Sequence, residues 1–135
     1  MVPTAEKSIA AAGSRRAWSN SANERPQVAC IGVGGKGGSD SSNAALFGDV
    51  LAICDVDRKT LASKHKADAF KAAETFTDYR EMIADPEIEA VIIATPDHWH
   101  GRMAAEAARR GKHIYMEAPM TRSLEETKAL KEAVN

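Results

Sequence analysis

The residues whose types and spacing point to chemistry fall in three places. Gly32-Val33-Gly34-Gly35-Lys36-Gly37 matches the pattern G-x-G-x-x-G. Its three glycines have separate uses: Gly32 permits a tight turn, Gly34 lets backbone approach a pyrophosphate, and Gly37 lets a following helix lie close to the preceding strand. A helix starting there offers free N–H groups and a partial positive charge to phosphate. The pattern carries weight only between a strand and a helix, because glycine-rich turns are common. Asp55 comes next, 18 residues beyond Gly37. The fingerprint expects a carboxylate about 20 residues on, accepting hydrogen bonds from the adenosine ribose hydroxyls. Its charge repels a 2′-phosphate, which favours NAD over NADP, while Arg58 pulls weakly the other way. The alternative duty for Asp55, capping the next helix, falls more naturally to Asp57. The third place is Thr95-Pro96-Asp97-His98-Trp99-His100. His98 and His100 resemble half of a metal site, but no third ligand is close, so no metal is expected. Trp99 either packs on a nicotinamide ring or fills the core, and the sequence leaves both open.

These groups need a scaffold, and the apolar pattern supplies one. Val28-Ala29-Cys30-Ile31 is an apolar run stopped by glycine, the mark of a buried strand. Residues 39–47 read as a short helix ending at Gly48. A second apolar run, 50–54, stops at Asp55, and Asp57 is placed to cap a helix through Leu61 and Ala62 towards Ala73. Residues 75–77 form a weak third strand. Asp78 caps a helix carrying Tyr79, Met82 and Ile83, which Asp85-Pro86 breaks. Residues 90–94 are apolar throughout and make the fourth strand. A helix over 98–110 ends at Gly111, and residues 113–116 give the fifth strand. Ser123 opens a last helix, with Glu126 completing a capping box.

Strands that are apolar rather than alternating belong to a parallel sheet covered on both faces. Right-handed crossovers leave few topologies, and the expected one is the doubly wound α/β Rossmann order 3-2-1-4-5. In that order the loop from Thr95 lies at the switch point between strands one and four, where ligands bind.

At 135 residues, 44% of them hydrophobic, the chain fits one domain, taken as residues 27–135. A net charge of -1 with 27% charged residues gives no basis for nucleic acid or an anionic membrane as partner. A small metabolite is the natural one. Residues 1–26 are rich in Ser, Ala and Asn and show no period, so a disordered tail is expected. Arg15-Arg16 resembles a twin-arginine export signal, but the residues after it are polar where an apolar segment is needed. The expected location is therefore the cytoplasm. Cys30 and Cys54 sit in neighbouring parallel strands, where disulfide geometry is rarely met, so two buried thiols are expected.

With the scaffold in place, the loop from Thr95 to His100, Gly111-Lys112-His113 and Glu117-Ala118-Pro119 together resemble the Gfo/Idh/MocA family, which includes glucose–fructose oxidoreductase and inositol dehydrogenase. The resemblance covers residues 27–135. It implies an N-terminal Rossmann domain followed by a C-terminal α+β domain built on an open antiparallel sheet. The implied activity is hydride transfer between a sugar or polyol carbon and the nicotinamide, although some members borrow NAD only transiently during glycoside cleavage. By position, Gly32, Val33, Gly34, Gly35, Lys36 and Gly37 would hold the pyrophosphate, and Asp55, with Val56 beside it, the ribose. Thr95, Pro96, His98 and His100 would line the nicotinamide side, and Glu117 would approach the nicotinamide ribose.

Two departures from the family follow. Its motif is Glu-Lys-Pro, whose lysine serves as or assists the general acid/base, and here that position is Ala118. A methyl group cannot transfer a proton, so no catalytic residue is assigned. The chain is also expected to lack the substrate domain, since it stops after the last helix. The expectation is the NAD-binding half of a sugar or polyol oxidoreductase, inactive alone and joined by substrate only with a missing C-terminal domain. The alternative is a non-catalytic NAD-binding module, a sensor or partner subunit. A methyltransferase shares the glycine loop and the acid after strand two, but not Thr95-Pro96 or Glu117-Ala118-Pro119.

Overall fold

A computed structural model describes residues 25–96, 99–117, 121 and 123–135. The expected tail up to residue 24, and with it Arg15-Arg16, lies outside the described residues, as do His98 and Ala118. The chain runs β1 (Gln27–Ile31), α1 (Lys36–Phe47), β2 (Asp49–Cys54), α2 (Arg58–His65), a 3-10 turn (Asp68–Phe70), β3 (Glu74–Phe76), α3 (Tyr79–Ile83), β4 (Ala90–Ile93), α4 (His100–Arg109), β5 (His113–Met116) and α5 (Leu124–Val134). The five strands form one sheet in the order β3-β2-β1-β4-β5, every pair parallel. The expected Rossmann topology is thus the observed one.

Central β1 is buried along its whole length, as an apolar run covered on both faces must be. Its alternate side chains enter two cores. Ala29 and Ile31 join Val91 and Ile93 under α3, α4 and α5, packed with Met82, Ile83, Met103, Ala104 and Leu130. Val28 and Cys30 join Ile53 on the other face, packed with Leu61, Phe70 and Ala73. Cys54 belongs to the first core, Cys30 to the second. The two thiols lie on opposite sides of the sheet, and both are free. Burial pushes each up to about 12.

Several boundaries differ from the sequence expectation, each for a local reason. The first helix starts at Lys36 rather than at residue 39, because Gly37 and Gly38 are wound into its first turn. The helix capped by Asp57 ends at His65 instead of running towards Ala73. There the N–H groups of Lys66 and Ala67 bond back to the carbonyls of Ser63 and Lys64, and the 3-10 turn then buries Phe70. The third strand is 74–76 rather than 75–77. The helix expected over 98–110 is regular from His100 to Arg109.

Arg25, which the sequence pattern assigns to the tail, is anchored on the domain. Its guanidinium donates to the carbonyls of Ala45 (2.9 Å), Leu46 (3.2 Å) and Gly48 (2.7 Å), and its Nε to Asp49 Oδ1 at 3.0 Å. Gly48 caps α1 as expected, its N–H donating to Ala44 O at 2.9 Å, but it is extended rather than left-handed. A cation takes the remaining carbonyls at the helix C-terminus.

Candidate functional site

The parallel ladder continues one residue past each strand and so brings the candidate residues to a single sheet edge. Gly32 N donates to Cys54 O (2.8 Å), Ala94 N to Ile31 O (2.9 Å), Glu117 N to Ile93 O (3.0 Å) and Asp55 N to Phe76 O (3.2 Å). Asp55, Gly32, Ala94 and Glu117 therefore stand side by side at the carboxyl ends of the neighbouring strands β2, β1, β4 and β5. This is where ligands bind in an open α/β sheet.

Close approach explains the glycines. Gly32 turns with φ +80, and a Cβ there would sit 2.7 Å from Ala94 O. A Cβ on Gly37 would overlap the carbonyl oxygen of Gly32. One on Gly34 would meet the Thr60 methyl at 2.9 Å. Gly35, φ +55, has nothing within 4 Å of its missing Cβ and opens outward as the residue before α1. The loop is thus a cradle of bare backbone ending on a 12-residue helix, suited to an anion of pyrophosphate size.

Asp55 is tied to that cradle. One carboxylate oxygen accepts from Val33 N at 3.0 Å and the other from Asp57 N at 2.9 Å. Both bonds fix its orientation, and lone pairs remain for hydroxyl donors. Helix capping is performed by Asp57, which accepts from Lys59 N, Thr60 N and Thr60 Oγ1. These bonds, the Thr60 hydroxyl first, hold its carboxyl below the ordinary value. Val56, beside Asp55, is 86% exposed.

On the switch-point side, His100 is buried, and its Nε2 lies 2.7 Å from Thr95 O. A carbonyl only accepts, so Nε2 carries the proton. The ring thereby straps the loop entering α4. Thr95 Oγ1 bonds Met103 Sδ at 3.6 Å, and Pro96 is exposed. Trp99 is 39% exposed with the Arg102 guanidinium 5.7 Å from its ring centre, which overturns the core-filling alternative. Among the described residues no three His, Cys, Asp or Glu side chains come together to hold a metal ion.

One functional candidate escapes the sequence reading. Asp40, one turn into α1, is 6% exposed and forms an ion pair with Lys36 at 3.2 Å. The partnership raises the Lys36 ammonium above its ordinary value, first through the bond to Asp40. The Glu117 carboxyl is raised above its ordinary value, first by hydrogen bonding to Asp40 and then by desolvation. The available signal was the i,i+4 spacing of Lys36 and Asp40.

Comparison with known proteins agrees with this geometry. The profile of an oxidoreductase family with an NAD-binding Rossmann fold, Gfo/Idh/MocA, matches residues 22–135. The chain belongs to the Gfo/Idh/MocA oxidoreductase family. It is 43% identical over 83 residues to levoglucosan dehydrogenase of Pseudarthrobacter phenanthrenivorans, covering 57% of this chain and 21% of that protein. It is 53% identical over 57 residues to scyllo-inositol 2-dehydrogenase (NAD(+)) of Bacillus subtilis, 42% of this chain and 17% of the relative. The solved structure of levoglucosan dehydrogenase in complex with NADH superposes with a TM-score of 0.72 at 33% identity, over 82% of this chain and 32% of the other. The chain thus spans about a fifth of those curated relatives and carries the NAD-binding domain of a Gfo/Idh/MocA group that includes sugar and polyol dehydrogenases. No helix among the described residues is long and apolar enough to cross a membrane.

Proposed function

We propose that this chain binds NAD across residues 32–37, Asp55 and the loop from Thr95, as the cofactor half of an oxidoreductase acting on a sugar or polyol. The observation that carries the reading is the Asp55 carboxylate, held by Val33 N and Asp57 N beside a loop with no room for side chains at Gly32 and Gly37. That arrangement presents donors to a pyrophosphate and an acceptor to a ribose within one short stretch of chain. Bound NAD supplies the hydride acceptor; the chain's own residues hold and orient it. Lys36 adds positive charge at the first turn of α1. Thr95, Pro96, His98, His100 and Glu117 are assigned to the nicotinamide side, and Val56 to the adenosine side.

NAD is favoured over NADP because the ionised Asp55 would face a 2′-phosphate. Ala118 occupies the place of the motif lysine, so proton transfer from a substrate hydroxyl lacks its usual group, and turnover by these 135 residues is not expected. Ala118 also supports a second reading, a non-catalytic NAD-binding module serving as sensor or partner subunit. Calorimetry tests the cofactor assignment. Asp55→Ala should weaken NAD while sparing or improving NADP, and equal weakening of both would remove Asp55 from the ribose site.

A further inference from the structure

Lys64 is a feature that the cofactor reading leaves unexplained. It lies in the last turn of α2, and its ammonium reaches across to α1. There it donates to Gly38 O at 2.7 Å and to Ser42 Oγ at 2.8 Å. Ser42 Oγ in turn donates to Gly38 O at 2.9 Å, which closes a ring of three bonds. The centre of the Phe70 ring is 4.6 Å from the same ammonium. Among the described residues no carboxylate pairs with Lys64, and desolvation lowers its ammonium from the ordinary value. A half-buried cation without a counter-ion is costly to keep. The start of a helix is also an unfavourable place for one, because the helix dipole is positive there.

Gly38 has a matching peculiarity. It lies outside the G-x-G-x-x-G pattern, yet a Cβ there would meet Val33 O at 3.0 Å and lie 3.9 Å from Lys64 Nζ. The ammonium thus comes up against bare backbone. One turn earlier α2 touches the cradle a second time, where a Cβ on Gly34 would meet the Thr60 methyl at 2.9 Å. Thr60 and Lys64 are four residues apart and share one face of α2. The start of α2 is tied to Asp55 through Asp57 N, whereas α1 carries the phosphate end of the cradle. Among the described residues no other hydrogen bond or ion pair joins α1 to α2.

We propose that Lys64 is a positioning residue, which clamps α2 to the first two turns of α1 and so sets the separation between the Asp55 carboxylate and the phosphate cradle. That role rests on the reading under Proposed function; the clamp itself does not. A ligand that spans both points gains from a separation already fixed, because its two ends then bind without further ordering of the protein. A ligand that touches one point alone gains nothing from it. NAD and ADP span both. Adenosine reaches only Asp55, and inorganic pyrophosphate only the cradle.

The test compares wild type with Lys64→Met in the 135-residue chain. Methionine keeps an unbranched apolar stem against Phe70 and removes the donors. Without ligand, nitrogen-15 NMR of the lysine ammonium groups should show a protected signal in wild type that is missing from Lys64→Met. Calorimetry then measures NAD and ADP, and amide NMR titration the weaker adenosine and pyrophosphate. NAD and ADP affinity should each fall about tenfold, the equivalent of one hydrogen bond to a charged group, while adenosine and pyrophosphate stay unchanged. Ser42→Ala, at an exposed position, keeps the charge and removes one acceptor. It should give the same pattern in smaller measure, and it carries the test if Lys64→Met does not fold. A wild-type Lys64 ammonium that exchanges as fast as an exposed lysine would overturn the clamp. Adenosine or pyrophosphate weakened as much as ADP would show an effect on one point alone, and would overturn the positioning role. Unchanged NAD and ADP would overturn it equally. A wild type that binds neither NAD nor ADP would overturn the site reading and the role within it, while the ammonium signal would still decide the clamp.

Discussion

Substituting Gly37 by alanine separates two effects of opposite sign. Gly37 lies in the first turn of α1, where alanine is preferred over glycine by about 1 kcal/mol on helix propensity alone. Its Cβ, however, would overlap Gly32 O and lie 2.8 Å from Gly32 C and 3.1 Å from Ala94 Cβ. Backbone cannot rotate away as a flexible side chain can, so α1 must lift off β1. Overpacking of this kind costs typically about 1–3 kcal/mol, more where backbone must shift. Placing Gly37 at the upper end and subtracting the propensity gain leaves a net loss of about 2 kcal/mol. For a domain of this size that is a fall in Tm of roughly 8 °C. Gly111→Ala is the matched control. Gly111 has φ +75 and nothing within 4 Å of its missing Cβ, so only the left-handed backbone penalty of about 1–2 kcal/mol applies. Thermal unfolding followed by circular dichroism reads both. Calorimetry with NAD should show weaker binding for Gly37→Ala, whose helix N-terminus has moved, and unchanged binding for Gly111→Ala. A Gly37→Ala chain as stable as wild type, or more so, would refute the close helix–strand contact and with it the cradle.

Two further outcomes follow from the fold. Arg25→Ala removes the cation from the C-terminal carbonyls of α1; a loss of about 1 kcal/mol is expected, read as a lower midpoint in urea, and no change would show that solvent replaces it freely. Cys30 and Cys54, raised from about 9 to about 12 by burial, hold protons more tightly folded than unfolded. Their contribution to stability is complete below pH 9 and is lost as pH rises from about 9 to 12. Urea midpoints should fall over that window less steeply in Cys30→Ala measured against its own neutral value, and a thiol reagent should label neither cysteine until the chain unfolds.

The sheet was legible because burial on both faces leaves its mark on composition. Val28–Ile31 and the run from Ala90 are apolar without alternation, and only a parallel sheet between two helical layers accounts for that. Caps were legible because they are local: Asp57, Asp78 and Ser123 each accept from backbone N–H groups within three residues. Helix lengths were less so. The pattern through Leu61 gives no warning that the chain tightens after His65 to bury Phe70, a decision made by packing against β2. The start of α1 was hidden by Gly37 and Gly38, poor helix formers that stand there because the carbonyls of Gly32 and Val33 crowd the places their Cβ atoms would take. In the site, Asp55 was legible from its distance to Gly37. Asp40 was not, because a charged residue in a polar helix reads as surface, and only the fold buries it. Trp99 could not be resolved from sequence, since an aromatic at a helix start serves a core or an open site equally well.

Whether the cradle takes NAD decides the function proposed for this site. An amide NMR titration of the 135-residue chain with NAD tests this residue by residue. NAD bound in the cradle should give saturable shifts concentrated at Val33, Gly34, Gly35, Lys36, Asp55 and Thr95, with much weaker binding of NADP. An absence of shifts, or shifts confined to the far end of the sheet around Gln27 and Glu89, would contradict it.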